Sequence, residues 1–319
     1  VTTAMRRSIG MLAATTLLVA GCSAGQGNPK VALTVGGVQV STVDQVQQKL
    51  NDLLATNKAA QEQAKQRKLG EISRGIVAEQ ALHQITGQAM QRLGITIPEE
   101  LVEQAIPTLT GPQATQGDPF QSIVDAAFPA KDIARNRLAL IELGGRSVGR
   151  TAVTFDAAFP QNLEDARKLA AKVAANPAES GKLMQEAPNP AQEAIIGQTQ
   201  DPSKARDPQQ LMQAAASPLF TLPAGSVVAT RLGGEQGGYV VFYLKSKQSA
   251  QPPQDFDPTS VEPLQLAQVG RAQLVSVAQQ AGVQLNPRFG TWDPVTLKAL
   301  SGEEASTVSS LLQVKTPKP

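Results

Sequence analysis

A mostly helical α+β fold is predicted by three features of the 319-residue sequence. Aromatic residues make up 3% of the chain while alanine, glutamine and leucine dominate, a balance that favours helix over sheet. Apolar residues recur at three-, four- and seven-residue spacing over residues 43–54, 69–93 and 262–281, the period of a helix with one buried face. Against this, two β-rich runs, 227–232 and 239–244, flank Gly233-Gly234-Glu235-Gln236-Gly237-Gly238 and read as a hairpin. A chain of this length buries a sizeable core, as one large or two modest domains.

The N-terminal residues come first. Arg6-Arg7 form a basic n-region and residues 9–20 an apolar h-region. Leu18-Val19-Ala20-Gly21-Cys22 is a small-residue cleavage site ending in the only cysteine of the chain. An ordinary secretory signal with an incidental cysteine is the bland alternative; the placement of that lone cysteine favours a signal resembling those of bacterial lipoproteins. The resemblance implies that residues 1–21 are removed and that Cys22 is acylated. The membrane is then a partner through a lipid anchor, with the body at its outer face. Residues 22–30 form a polar tether that reaches at most roughly 30 Å when extended. Loss of Arg6 and Arg7 would balance 29 basic against 27 acidic residues, so no bulk positive field points to nucleic acid.

Residues 31–35 and 38–40, joined by Gly36-Gly37, are expected to form a small hairpin. Ser41-Thr42-Val43-Asp44 has capping-box spacing with Ser41 as the cap. The helix it opens places Val43, Val46, Leu50, Leu53 and Leu54 on one side. Residues 57–68 turn polar and basic, as exposed helix or connection. Over 69–93 the stripe is Leu69, Ile72, Ile76, Leu82, Ile85, Ala89 and Leu93. Gly75 and Gly87 inside it each cost about 1 kcal/mol relative to alanine, which close approach of another backbone would offset. Gly94 is a left-handed cap, and Pro98 with Glu99-Glu100 suits the first turn of a helix carrying Leu101, Ala105 and Ile106 up to Pro107. Two more helices are expected over 120–128 and 131–143.

Further along, residues 152–155 read as a strand and Asn162 as the cap of a helix over 163–173. Residues 188–208, rich in Pro, Gln and Asp, read as an irregular loop. A turn at Leu222-Pro223-Ala224-Gly225 leads into the hairpin. Pro252-Pro253 marks a boundary before the helix 262–281, whose small apolar face holds Ala267, Gly270, Leu274, Val277 and Ala281. Phe289 and Trp292 sit in a compact turn and are expected to plug one end of a domain. Residues 301–319 are expected to be a flexible tail.

Two resemblances follow from this order. Val35, Gly37, Val40, Ser41 and Asp44, then Ile76 and Leu82, then residues 89–97 with Glu99 or Glu100 and Val102, resemble the N-terminal domain of SurA-like periplasmic chaperones and their PrsA-type relatives. Phe220, Leu222 and Gly225 followed by residues 238–245 resemble the end of a parvulin-type prolyl isomerase module. The parvulin histidine position in the last strand is Val240, residues 152–159 contain no histidine, and only Gly197 stands where a glycine-rich segment belongs. The resemblance implies a SurA N-terminal-like helical domain over 31–149 and a degenerate parvulin-like module over 150–248. A C-terminal helix and turn over 256–300 would pack back on the first domain.

Chemistry-bearing residues are sparse. His83 is the only histidine, and its place in an apolar helix stripe reads as structural or surface. One histidine and one cysteine cannot supply a zinc set. Glu99-Glu100 and Glu303-Glu304 are sequence-adjacent, so their carboxylates diverge on a helix. The glycine-rich 233–238 lacks the lysine and following helix of a phosphate loop. No catalytic residue, metal or cofactor is assigned. The resemblance implies a membrane-anchored extracytoplasmic holdase for unfolded or newly exported polypeptides, without prolyl isomerase activity. Its client surface would be an apolar concavity between the two domains. The alternatives are a non-enzymatic scaffold or accessory lipoprotein of an envelope transport or cell-wall complex, and an isomerase with an unusual site.

Overall fold

The computed structural model describes residues 28–111, 113–115, 118–187, 192–205, 207–231, 238–307 and 310–313. The signal segment with Cys22 and most of the glycine turn 233–238 therefore lie outside the described residues. β1 (Val31–Val35) turns back through Gly36 and Gly37, at φ 66° and 75°, into β2 (Val38–Thr42). Only glycine adopts two successive left-handed positions at no cost. α1 (Val43–Thr56) is capped by Thr42, not by Ser41 as the spacing suggested. Thr42 Oγ1 accepts from Gln45 N at 3.2 Å, and Gln45 Oε1 accepts from Thr42 N at 2.9 Å. The shift has a simple cause. β2 continues to Thr42 and pairs Ser41 with Leu33, which buries the Ser41 hydroxyl without a partner.

The polar stretch after α1 is a helix, α2 (Lys58–Lys65), capped by Asn57. α3 (Leu69–Arg92) buries Ile72, Ile76, Leu82, Ile85 and Ala89 as expected, but Leu69 and Leu93 at its two ends are exposed. A Cβ on Gly75 would meet Val124 Cγ2 at 2.5 Å, so the close approach comes from a side chain and not from backbone. Gly87 has nothing within 4 Å, and the close approach expected there is absent. α4 (Glu99–Leu109) takes Pro98 as its cap and runs past Pro107; it buries Val102 and Leu109 and exposes Leu101. α5 (Pro119–Asp125) and α6 (Ala130–Ser147) complete the first half.

The middle of the chain is a small α/β module. It comprises β3 (Thr151–Ala158), α7 (Leu163–Ala175) capped by Asn162, α8 (Ser180–Gln185), β4 (Ile195–Gln200), α9 (Pro208–Ala216), α10 (Pro218–Thr221), β5 (Ser226–Arg231) and β6 (Tyr239–Ser249). β4 corrects the reading of 188–208 as irregular, since Gln198–Gln200 pair antiparallel with Val153–Phe155. β5 and β6 form the antiparallel hairpin legible in the sequence.

α11 (Pro263–Ala281) and β7 (Val283–Leu285) then return to the first half. β7 pairs with β1, Leu33 opposite Leu285, in a three-stranded sheet of order β2-β1-β7. β8 (Thr291–Asp293) and β9 (Lys298–Leu300) form a small hairpin. The expected tail is structured in part. α12 (Gly302–Thr307) opens on a capping box, in which Glu304 N donates to Ser301 Oγ and Ser301 N to Glu304 Oε2. β10 (Ser310–Gln313) then pairs antiparallel with β5, giving a five-stranded sheet of order β10-β5-β6-β3-β4. The fold is thus α+β, a helical domain with a small α/β module.

Two helices hold the halves together. α6 and α11 cross at Gly144 and Gly270: a Cβ on Gly144 would overlap Leu266 O, and one on Gly270 would overlap Leu140 O. On the far side of α11, Leu266 and Val269 pack with Leu211, Met212 and Ala215 of α9 and with Val148. One apolar core runs from Ile76 and Leu82 of α3 through Leu274 of α11 to Phe220, Phe242 and Leu244 of the module.

Candidate functional site

The concavity expected between the helical domain and the module is filled. At that seam the void lined by Ser147, Gly149, Ala215, Phe220 and Gln273 measures about 10 Å³, room for one water at most. Val240, at the parvulin histidine position, is 5% exposed and belongs to the same continuous core. The module's buried charge lies elsewhere. Asp156, wholly buried on β3, accepts from Ser180 Oγ at 2.6 Å, Gly197 N at 2.6 Å and Lys245 Nζ at 2.8 Å. Burial pushes its carboxyl pKa up, but Lys245, Ser180 and the Gly197 amide outweigh that and hold it below the ordinary value. All three partners are fixed by this carboxylate, so the cluster fastens α8 and β4 to the sheet.

A recessed surface lies in the helical domain, along one face of α3. Glu79, Leu82, His83, Thr86, Gly87 and Met90 follow one another at spacings of one, three and four, so successive turns of α3 present them on one side. Two recesses lie on that side. The larger, about 420 Å³, lies between Met90 and Thr86 of α3, Ile95 and Ile97 of the connection to α4, and Asn136 and Ala139 of α6. The smaller, about 180 Å³, lies between Glu79 and Leu82 of α3, Asn136 and Arg137 of α6, and Gln268 and Arg271 of α11. Asn136 lines both.

A buried polar network closes the smaller recess. Gln121 Nε2 bridges two acids, donating to Asp125 Oδ1 at 2.8 Å and to Glu79 Oε2 at 3.3 Å. Arg137 pairs with Asp125 and donates also to Leu109 O; Arg271 Nη2 donates to Leu297 O at 3.0 Å. His83 Nε2 stands 3.1 Å from Glu79 Oε1, off the alignment a hydrogen bond needs. Burial disfavours the Glu79 charge, yet His83, Arg271 and Arg137 together draw its pKa below the ordinary value. For Asp125 burial wins, and its pKa is raised despite Arg137. The single histidine of the chain thus lies beside Glu79, its ring centroid 5.3 Å from that of Phe128 and tilted 59° to it.

Besides His83 Nε2, two further polar side chains on this side lack a hydrogen bond among the described residues, one enclosed and one open to the recesses. Asn136, 8% exposed, has no hydrogen-bond partner among the described residues. Thr86, 2% exposed, keeps an unpartnered Oγ1. Sequence reasoning missed both, and no local signal marks them: they emerge only when α3 and α6 are packed side by side. Of the residues singled out in the sequence, Phe289 is buried in the main core and Trp292 is half-buried against it, with its Nε1 enclosed and unpartnered. Cys22 lies outside the described residues. Among the described residues no group of His, Cys, Asp and Glu is placed to hold a metal, and no helix is long and apolar enough to cross a membrane.

No protein-family model and no curated protein matches the chain. Among solved structures it is similar to foldase protein PrsA from Streptococcus pneumoniae, at 13% identity over 80% of this chain and 96% of that one, TM-score 0.22. PrsA from Lactococcus lactis gives 11% identity over 80% and 94%, TM-score 0.23. The peptidylprolyl isomerase PrsA from Bacillus anthracis gives 13% over 64% and 96%, TM-score 0.20. Superpositions this loose carry no argument about function, which rests on the chain's own geometry.

Proposed function

We propose that this protein is a non-enzymatic holdase that binds unfolded or newly exported polypeptides outside the cytoplasm, tethered to the membrane by a lipid on Cys22. The observation that carries the reading is the mixed trough along α3 and α6: an apolar floor of Met90, Ile95, Ile97 and Ala139 interrupted by unsatisfied polar groups. Such a lining suits a chain of apolar side chains on a polar backbone. Leu93 and Leu101, near it in sequence, are exposed. The absence of isomerase activity is part of the same proposal, supported by the enclosure of Val240 in the core and by the commitment of Asp156, Ser180 and Lys245 to one another.

Purified protein at stoichiometric amounts should slow aggregation of an unfolded client, while a protease-free peptide assay shows no prolyl turnover above background. Unaltered aggregation would remove the holdase reading, and turnover near that of an active parvulin would remove the second half of the proposal. Lipid on Cys22 is tested separately, by metabolic labelling with a fatty-acid analogue and its loss in Cys22→Ser.

One observation favours a second reading. The helical domain and the module share one continuous core, and the void described at their seam holds one water at most. A body of that kind suits a scaffold or accessory lipoprotein with one dedicated envelope partner. Affinity capture from membranes discriminates: one stable complex supports the scaffold, a spread of exported clients supports the holdase.

A further inference from the structure

We propose that Asn136 is a main-chain clamp for an extended polypeptide segment lying in the trough between α3 and α6; this rests on the polypeptide-binding reading above. Asn136 is the one residue common to both recesses, and its remaining exposure opens onto them. Its side chain offers two donors and an acceptor, none of which is used within the protein. Solvent in the two recesses meets these groups, and a ligand of matching polarity can take the place of that water. Thr86 Oγ1, enclosed on the same side, is likewise unused.

The charges around these groups decide what kind of ligand fits. Arg137 is taken by Asp125, Arg135 by Glu99 at 2.8 Å and Asp132 at 3.4 Å, and Arg271, which donates to Leu297 O, is balanced at longer range by Glu79. No unbalanced charge is left to select a phosphate or a carboxylate. Among the described residues the Asn136 amide is neutral and open to the recesses, with donors and an acceptor that complement a peptide group, which presents one N–H and one C=O. The span agrees. From Glu79 to Met90 α3 rises roughly 16 Å at about 1.5 Å per residue, enough for about five extended residues at about 3.3 Å each. Asn136 lies where the two recesses meet, with the apolar pocket of Ile95 and Ile97 on one side to take a side chain.

The test is fluorescence anisotropy with a short, uncharged, fluorescein-labelled peptide of alternating apolar and small residues. Copies of it have single main-chain amides replaced by esters, which removes one N–H and leaves every side chain in place. Asn136→Ala should bind roughly tenfold more weakly, the loss of one or two net hydrogen bonds. Its melting temperature should fall only by the packing lost on truncation and not by a broken hydrogen bond, and circular dichroism should show the parent fold. One ester copy should bind several-fold more weakly to the parent protein and show no further loss on Asn136→Ala. Asn136→Asp, which keeps the shape and loses the donors, should fall with Asn136→Ala. Equal binding by parent and both variants, with aggregation still suppressed, would overturn the clamp and leave the holdase reading standing. A parent protein that neither binds the peptide nor slows aggregation would overturn both.

Discussion

Gly144 and Gly270 face each other across the α6–α11 crossing, each with its Cα against the backbone of the opposite helix: Leu266 O lies where a Cβ of Gly144 would be, and Leu140 O where that of Gly270 would be. The obstacle is main chain, so no rotamer change relieves it. Gly270→Ala or Gly144→Ala must push the helices apart, and the loss should reach or exceed the upper end of the about 1–3 kcal/mol typical of overpacking. Thermal unfolding measures it; an unchanged midpoint would mean that the helices do not meet this closely.

Two glycines on α3 should respond in opposite directions. Gly75→Ala drives a methyl into Val124 and the Phe120 ring and should destabilise. Gly87→Ala meets nothing and should stabilise by about 0.5–1 kcal/mol through helix propensity alone. Denaturant midpoints of the two variants, compared with the parent, check the sign of each.

The first cap allows a similar contrast between neighbours. Thr42→Ala removes both arms of a capping box and should cost about 1 kcal/mol. Ser41→Ala removes a buried hydroxyl that has no partner, and should be neutral or slightly stabilising. Equal losses at the two positions would place the cap at Ser41 after all.

Asp156 gives the module an acid-sensitive fastening. Because its folded pKa lies below the ordinary one, its contribution is complete above the unfolded carboxylate pKa of about 4 and is lost as pH falls through the lower folded value. Asp156→Asn should therefore lower the unfolding free energy at neutral pH by roughly 2–4 kcal/mol, because Gly197 N and Ser180 lose a charged acceptor inside the sheet. The gap between parent and variant should narrow on acidification below about pH 4. A gap that stays constant with pH would show that the carboxylate carries no special charge stabilisation.

Much of this architecture was legible in the residues, and the failures share a physical cause. Periodicity located α1, α3 and α11, and glycine position located the first hairpin and the β5–β6 pair, because those signals are local. β4 was hidden because Ile195–Gln200 is mostly exposed and lacks a buried alternating face. α12 and β10 were hidden by a polar context, although Ser301 and Glu304 held the capping-box signal of α12 in plain view. The filled seam could not be read, since whether an apolar face is covered depends on which element arrives from far along the chain. Asn136 belongs to the same class: its polarity is ordinary on a helix and becomes informative only once its neighbours are known to leave it unpaired.

The pairing of β10 with β5 has a consequence for biogenesis. The outer border of the middle sheet is supplied by a segment synthesised after α11, so a chain emerging from N- to C-terminus must hold β5 with one flank bare until that segment arrives. During that interval β5 is a vacant template for any passing strand, and the module gains its finished rim only when nearly all of the described polypeptide has been threaded out.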